Sequence, residues 1–183
     1  MATLSTTAWV LHDLGLAAGF GGNLFGQLAL HPAVGSIESK RERGKVTHLA
    51  WDRYKAVNAV ALVAMAGTWL IGRTILSGRA VGRGAQPIVV AKDIMVAGAL
   101  ASGIGAMAFG TMLDKEQEGA PTIESGSEPA PETPERTARL QRTTNTLGRV
   151  SLLLNAGVMA LTTVLAMKAG ESRRWGVLSR LLP

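Results

Sequence analysis

The chain has 183 residues, 47% of them apolar and only 17% charged, where soluble domains run to about a quarter charged. The charges sit in blocks between long uncharged runs, so the chain reads as a polytopic membrane protein about one domain in size. It has no cysteine, which excludes disulfides, thiolate metal sites, c-type haem attachment, lipoprotein anchoring and a cysteine nucleophile.

The net charge of +6 comes from Lys and Arg residues that flank hydrophobic stretches, where they anchor interfaces and meet anionic headgroups. Aromatic residues are too scarce for a base-stacking platform, so the expected partner is the lipid bilayer and not nucleic acid. The N-terminal MATLSTTAW lacks the basic start of a signal peptide, and the first span is expected to be retained.

That first span covers about residues 8–30. Its glycines Gly15, Gly19, Gly22 and Gly26 fall at alternating steps of four and three, which stacks them into one GxxxG-type groove on a helix. In hydrocarbon such small-residue faces let neighbouring backbones approach closely. Ser5, Thr6 and Thr7 supply N-cap candidates, and His31-Pro32 is expected to stop or bend the helix.

A first loop follows, with the mixed-charge block Lys40, Arg41, Glu42, Arg43 and Lys45 expected to form a solvated face against headgroups. The second span covers about 54–72, entered through Trp51-Asp52-Arg53-Tyr54, and ends in a basic turn with Arg73, Arg79 and Arg83. The third covers about 88–113 and carries a further small-residue face at Gly98, Ser102 and Gly105. Residues 114–138 are dominated by Pro, Glu, Ser and Gly and predict a flexible, disordered polar loop. The fourth span covers about 147–168, followed by a basic amphipathic tail. The expected fold is all-α: one transmembrane domain over residues 1–183, a four-helix bundle with a disordered acidic, Pro-rich loop between helices three and four. The protein is placed in the cell membrane, with the first and third loops on the cytoplasmic side by their Lys and Arg content.

Alternating direction brings one end of every span to the same side. Counting inward from it, Asn23 and Asn155 lie at a similar depth, roughly 10 Å in, with Gln27 and Asn58 shallower. His31, His48, Trp51, Asp52, Arg53, Tyr54 and Asn145 gather at the rim. The favoured reading of the four amides is hydrogen bonding across helices that fixes register. The sharper reading makes Asn23, Gln27, Asn58 and Asn155 a ligand-binding set within apolar walls, with His31, His48 and Tyr54 as proton-transfer candidates. The opposite rim carries His12, Asp13, Arg73, Lys92 and Asp93, expected to pair as ions between helices.

No ionisable residue occurs between Leu14 and Leu30, Ile94 and Met112, or Val150 and Met167, which argues against a proton path. The histidines flank a loop instead of facing one another within helices, and no metal-ligand spacing occurs. No cofactor and no metal are therefore expected.

The small-residue first span with Gly15 and Gly19, the following His31-Pro32-Ala33, and a second span opening on Trp51 and Tyr54 together resemble the anthrone-oxygenase-like group of small four-helix membrane proteins. The likeness covers the first two spans and the span count; the acidic loop lies outside it. It implies cofactor-free oxidation of a polycyclic aromatic substrate. The leading expectation from the residues themselves is an integral membrane protein acting through helix packing, as a homo-oligomer or as an accessory subunit to a membrane-protein partner. The alternative is a cofactor-free, oxygenase-like enzyme or a binder of a lipophilic small molecule in a polar pocket within the bundle.

Overall fold

A computed structural model describes residues 2–72, 86–116, 122–125 and 127–178. The chain is mostly helical. Helix α1 runs over Ala2–Phe25, passes through one π-helical turn at Gly26–Leu30 and continues as the short α2, His31–Gly35. Helix α3 covers Lys40–Ile71, α4 Gln86–Glu116 and α5 Glu135–Leu178. Between α4 and α5 lies an antiparallel hairpin of β1, Ile123–Ser125, and β2, Glu128–Pro129.

Among the described residues, three helical stretches are long and apolar enough to cross a membrane: Lys40–Ile71, Gln86–Glu116 and Glu135–Lys168. Each has more than 30 residues, ample for a hydrocarbon core of about 30 Å at about 1.5 Å per residue. Their outer faces are apolar and uncovered, including Val60, Val63, Leu70, Ile94, Ile104 and Leu153. Such a surface is at home in lipid.

Helix α1 packs along α3, and α4 along α5, with further contact between α1 and α5 and between α3 and α4. The core where they meet holds Leu16, Leu62, Met65, Val96, Ala99 and Val158. Glycine sets the α1–α3 approach. A Cβ at Gly15 would stand 2.7 Å from the Ala61 carbonyl oxygen, one at Gly26 2.5 Å from the Trp51 ring, and one at Gly22 would run into the Tyr54 ring. The contacts run Gly15 to Ala61, Gly22 to Tyr54 and Gly26 to Trp51, so the two helices are antiparallel.

Several boundaries differ from the sequence reading. The helix does not stop at His31-Pro32. Proline has no N–H to donate and its ring crowds the carbonyl four residues back, so the chain widens into a π turn, where the His31 N–H donates to the Gly26 carbonyl, and then resumes. The charged block Lys40–Lys45 is the start of α3, not a loop; the Ser39 hydroxyl caps it by accepting from the Glu42 N–H at 3.3 Å. Arg73, Arg79 and Arg83 lie outside the described residues.

The largest difference lies between α4 and α5. Asp114 belongs to α4 and residues 135–138 to α5, and the intervening described residues form an ordered cap instead of a disordered loop. Ile123 and Ala130 are buried, as are Ser127 and Thr133. The Ala130 N–H donates to the Thr122 carbonyl at 3.2 Å, and Lys40 pairs with Glu124 at 2.5 Å and Glu132 at 3.2 Å. Arg43 donates to the carbonyls of Ile37, at 2.5 Å, and Glu124. The cap thus sits on the start of α3 and against α2 and α5.

Candidate functional site

Beneath this cap, at the end of the molecule where α1 leaves and α3 begins, lies a cavity of about 160 Å³. Its walls come from every long helix and the hairpin. Helix α1 and its extension supply Asn23, Gln27 and His31; α3 supplies Thr47, His48, Trp51, Tyr54, Lys55 and Asn58. Helix α4 adds Met107, Leu113 and Asp114, the hairpin Ile123 and Ser127, and α5 Gln141, Thr144 and Asn145.

Six of the seven side chains singled out from sequence therefore meet at one cavity: Asn23, Gln27, His31, His48, Tyr54 and Asn58. Asn155 does not join them. It is buried on α5 and donates to its own helix, to the Ser151 carbonyl at 2.9 Å and the Ser151 hydroxyl at 3.3 Å. Asn23 likewise gives one amide hydrogen to its own helix, at the Gly19 carbonyl 2.8 Å away, but keeps its place on the wall. The Tyr54 hydroxyl donates to the Ala18 carbonyl at 2.5 Å, which fixes the ring in the gap left by Gly22. Trp51 fills the gap at Gly26 and stands between His31 and Tyr54, its ring 6.0 Å and 5.9 Å from theirs.

His48 has a carboxylate partner that sequence reasoning left in the loop. Asp114 Oδ1 lies 3.0 Å from His48 Nδ1, and Asp114 Oδ2 lies 2.6 Å from Lys55 Nζ. Lys55 also reaches Asp52 at 3.2 Å. The carboxylate accepts the Nδ1 hydrogen and so selects the tautomer in which Nε2 carries the lone pair. His31 is only 5% exposed; burial, and then the nearby Arg149 guanidinium, hold its imidazole below the ordinary histidine value.

Two further wall residues were also missed. Gln141 is 4% exposed, and its amide nitrogen donates to the Ser127 carbonyl at 3.5 Å, while Asn145 donates to the same oxygen. That shared acceptor decides which way the Gln141 amide points, since its oxygen cannot face a carbonyl. Thr47 lines the wall one helical turn ahead of Trp51. The signal for Asp114 was present: it is the first charge after the uncharged run of the third span, level with His48 and Lys55 at the same boundary.

The opposite end holds a different polar cluster. Lys92 is fully buried, 2.9 Å from His12 Nε2 and 4.0 Å from the centre of the Trp69 ring. His12 Nδ1 donates to the Met65 carbonyl at 2.8 Å, so Nε2 is the acceptor for the lysine. Trp69 in turn donates its indole N–H to Asp93 at 2.8 Å. The near partners of Lys92 are a histidine and an aromatic face, with Asp13 and Asp93 adding their negative field.

No protein-family model, curated protein or solved structure matches the chain, so the reading of the site rests on its geometry.

Proposed function

We propose that the chain is a four-span membrane protein that binds a lipophilic small molecule in the cavity under the hairpin. The observation that carries this is the convergence of Asn23, Gln27, His31, His48, Tyr54 and Asn58, from separate helices, on one space with apolar walls. Amides that served only to fix register would be expected to bond across helices. Asn23 and Asn155 bond to their own helices instead, and the first does so while lining the cavity.

The helix-packing reading loses much of its motivation. Gly15, Gly22 and Gly26 are filled by Ala61, Tyr54 and Trp51 of the same chain, and on the third span's face Gly98 and Gly105 meet Leu154 and Leu147. Those faces have neighbours within the chain, which favours the cavity reading over the reception of a second protein. Size bears on the ligand. An apolar cavity of about 150 Å³ accommodates benzene, so the space here suits about one ring and not the fused rings that the anthrone-oxygenase resemblance would bring.

The test is native mass spectrometry of the full chain released from lipid nanodiscs. A reproducible small-molecule adduct on the wild-type protein, lost in Asn58→Ala and Gln27→Ala at unchanged yield and melting temperature, is the expected result. A bare monomer, or a discrete multimer without adduct, would overturn the proposal and restore helix packing.

A catalytic use of the same cavity is the second reading, favoured by the His48–Asp114 pair. With Nδ1 held by the carboxylate, Nε2 is a base available to a bound molecule, and removing an acidic proton is the step a cofactor-free oxygenation would ask of the protein. Oxygen uptake by the reconstituted chain that is abolished in His48→Ala and merely weakened in Asp114→Asn would support it.

A further inference from the structure

The cations at the hairpin end of the bundle divide into those the fold uses and those it leaves over. Lys40 is held by Glu124 and Glu132, Arg43 by two carbonyls, Lys55 by Asp114, and Arg136 by Glu116 at 2.7 Å. Much of the charged block that the sequence assigns to headgroups is therefore spent on the hairpin. On α5, Arg142 and Arg149 form no ion pair among the described residues, and Arg139 has only the exposed Glu135, at 3.4 Å.

The two exposed charged surfaces at this end differ in balance. Around the start of α3, Glu38, Glu42 and Asp52 offset Arg41, Lys45 and Arg53, so that surface is neutral. On α5, Glu135 stands alone against Arg139, Arg142 and Arg149. An anion is drawn to the second surface and not to the first.

That surface of α5 is also shaped. An open groove of about 400 Å³ is lined by Glu135, Arg139, Arg142, Thr143, Thr146 and Leu147. Gln141, Thr144, Asn145 and Gly148 face the cavity from the other side of the same helix, so the groove is a separate site on its back. Helical spacing sets the reach. Arg139, Arg142, Thr143 and Thr146 stand at i, i+3, i+4 and i+7, with neighbouring Cβ atoms about 5–6 Å apart. Two guanidinium forks at that spacing can close on a single phosphate. Thr144 and Thr146 donate to the carbonyl four residues back, whereas Thr143, between the two arginines and Leu147, makes no such bond and keeps its hydroxyl to donate.

The same face continues into the hydrocarbon. The uncharged run of α5 starts at Val150, so Leu147 at the lower end of the groove stands about 5 Å above it, at headgroup depth. Below it, Val150 and Leu153 repeat the helical step on the same face and are 40% and 72% exposed. A cationic groove that opens onto an apolar stripe matches a molecule with a phosphate at one end and a hydrocarbon chain at the other.

We propose that this groove is a binding site for an anionic glycerophospholipid. Arg139 and Arg142 hold the phosphate, Thr143 donates to it, Arg149 adds positive charge at the boundary, and an acyl chain lies along Val150 and Leu153. A free phosphate would meet the same guanidinium groups but leave the apolar stripe unused.

The test is native mass spectrometry of the full chain from detergent micelles, titrated with phosphatidylglycerol or with phosphatidylcholine of identical acyl chains. The wild-type chain is expected to bind phosphatidylglycerol about tenfold more tightly. Arg139→Gln and Arg142→Gln should each weaken it about fivefold, and Thr143→Val, which keeps every charge, about threefold. Arg41→Gln with Lys45→Gln, which removes as many cations from α3, should change nothing. All of these side chains lie at the surface or at its edge, and melting temperatures check that each variant is folded.

Equal binding of the two lipids overturns the proposal. So does a preference for phosphatidylglycerol that survives in the Arg139→Gln, Arg142→Gln double variant, or one that falls equally in the α3 variant, since charge in general would then be the cause. Displacement of the lipid by millimolar inorganic phosphate would assign the groove to the free anion and overturn the lipid as its occupant.

Discussion

Lys92 brings a charged amine into the packed interior between α1, α3 and α4, where desolvation is costly unless partners replace water. Its partners are specific: the unprotonated Nε2 of His12, the face of Trp69, and the acidic field of Asp13 and Asp93. Lys92→Met keeps most of the volume but strands His12 Nε2. A loss of about 3 kcal/mol is expected, measured by denaturant titration in detergent. In a double-mutant cycle with His12→Phe, the two substitutions should be non-additive by more than about 1 kcal/mol. Additivity would show that the pair is not coupled. At this scale the sequence was informative about depth and uninformative about direction. Helix rise alone put Asn23 in one half of the bundle with Gln27 and Asn58 shallower on the same side, and the three share a wall. The same count put Asn155 beside Asn23, but each residue also turns about 100° around the axis, and nothing in the sequence states the rotation of α5. Asn155 faces Ser151 as a result. Gln141 escaped because it lies before the expected start of the fourth span, in three turns of helix that sequence hydropathy did not mark.

At the scale of elements, the glycines of α1 differ sharply in what surrounds them. Gly22 has the Tyr54 ring where a Cβ would go, while Gly21, next in the chain, has nothing within 4 Å. Gly22→Ala should cost more than about 2 kcal/mol through overpacking against a ring that is tied to Ala18. Gly21→Ala should be neutral or stabilising by up to about 1 kcal/mol, from helix propensity alone. Melting curves of the two variants under identical conditions make the comparison, and equal losses would mean that α1 and α3 do not approach as described. The glycine spacing was legible from sequence; its occupant was not, because Trp51 and Tyr54 read equally well as interface anchors. The start of α3 carried a signal that the expectation of a charged loop passed over. Ser39 followed by Glu42 three residues on is a capping signature, and it places the charged block inside a helix. The hairpin carried no such signal. Its Pro and Glu content resembles disorder, and the residues that hold it, Lys40 and Arg43, lie some 80 positions away. That attachment has a pH signature. The Glu132 carboxyl is held below its ordinary value, first by its own backbone N–H and then by Lys40, while Glu124 and Glu132 raise Lys40 above its own. A depressed carboxyl stabilises the cap above its ordinary range and stops doing so as pH falls through the lowered value. Protection factors at residues 122–125 and 127–130, taken against the intrinsic exchange rate at each pH, should therefore fall on acidification from pH 7 towards about 3, and Lys40→Ala should show the lower protection already at neutral pH. Unchanged protection across that range would separate the cap from these ion pairs.

For the molecule as a whole, the open matter is whether α1 crosses the membrane with the three helices whose length and apolar content suffice on their own. Helix α1 falls short through His12, Asp13 and Asn23, but its position argues for crossing. It runs antiparallel to α3 from Gly15 beside Ala61 to Gly26 beside Trp51, so it occupies the same depth as the apolar part of a helix long enough to span. His12 faces Met65 and Lys92 instead of lipid, and the surfaces left outward include Leu14, Phe25 and Leu28. A crossing by α1 as well would put Ala2 and Ser172 on one side and the α2–α3 turn on the other. Because the chain has no cysteine, single replacements report sidedness cleanly. With Ala2→Cys, Ser36→Cys and Ser172→Cys in sealed vesicles, a membrane-impermeant maleimide should label the first and third from the same face and the second from the opposite face. Ala2→Cys and Ser36→Cys labelled from one face would leave α1 on the surface, and the cavity between α1 and α3 would then open sideways to the headgroups. Opposite labelling keeps it at one end of a four-helix bundle, closed by the hairpin, where a lipophilic molecule would reach it from the bilayer between helices.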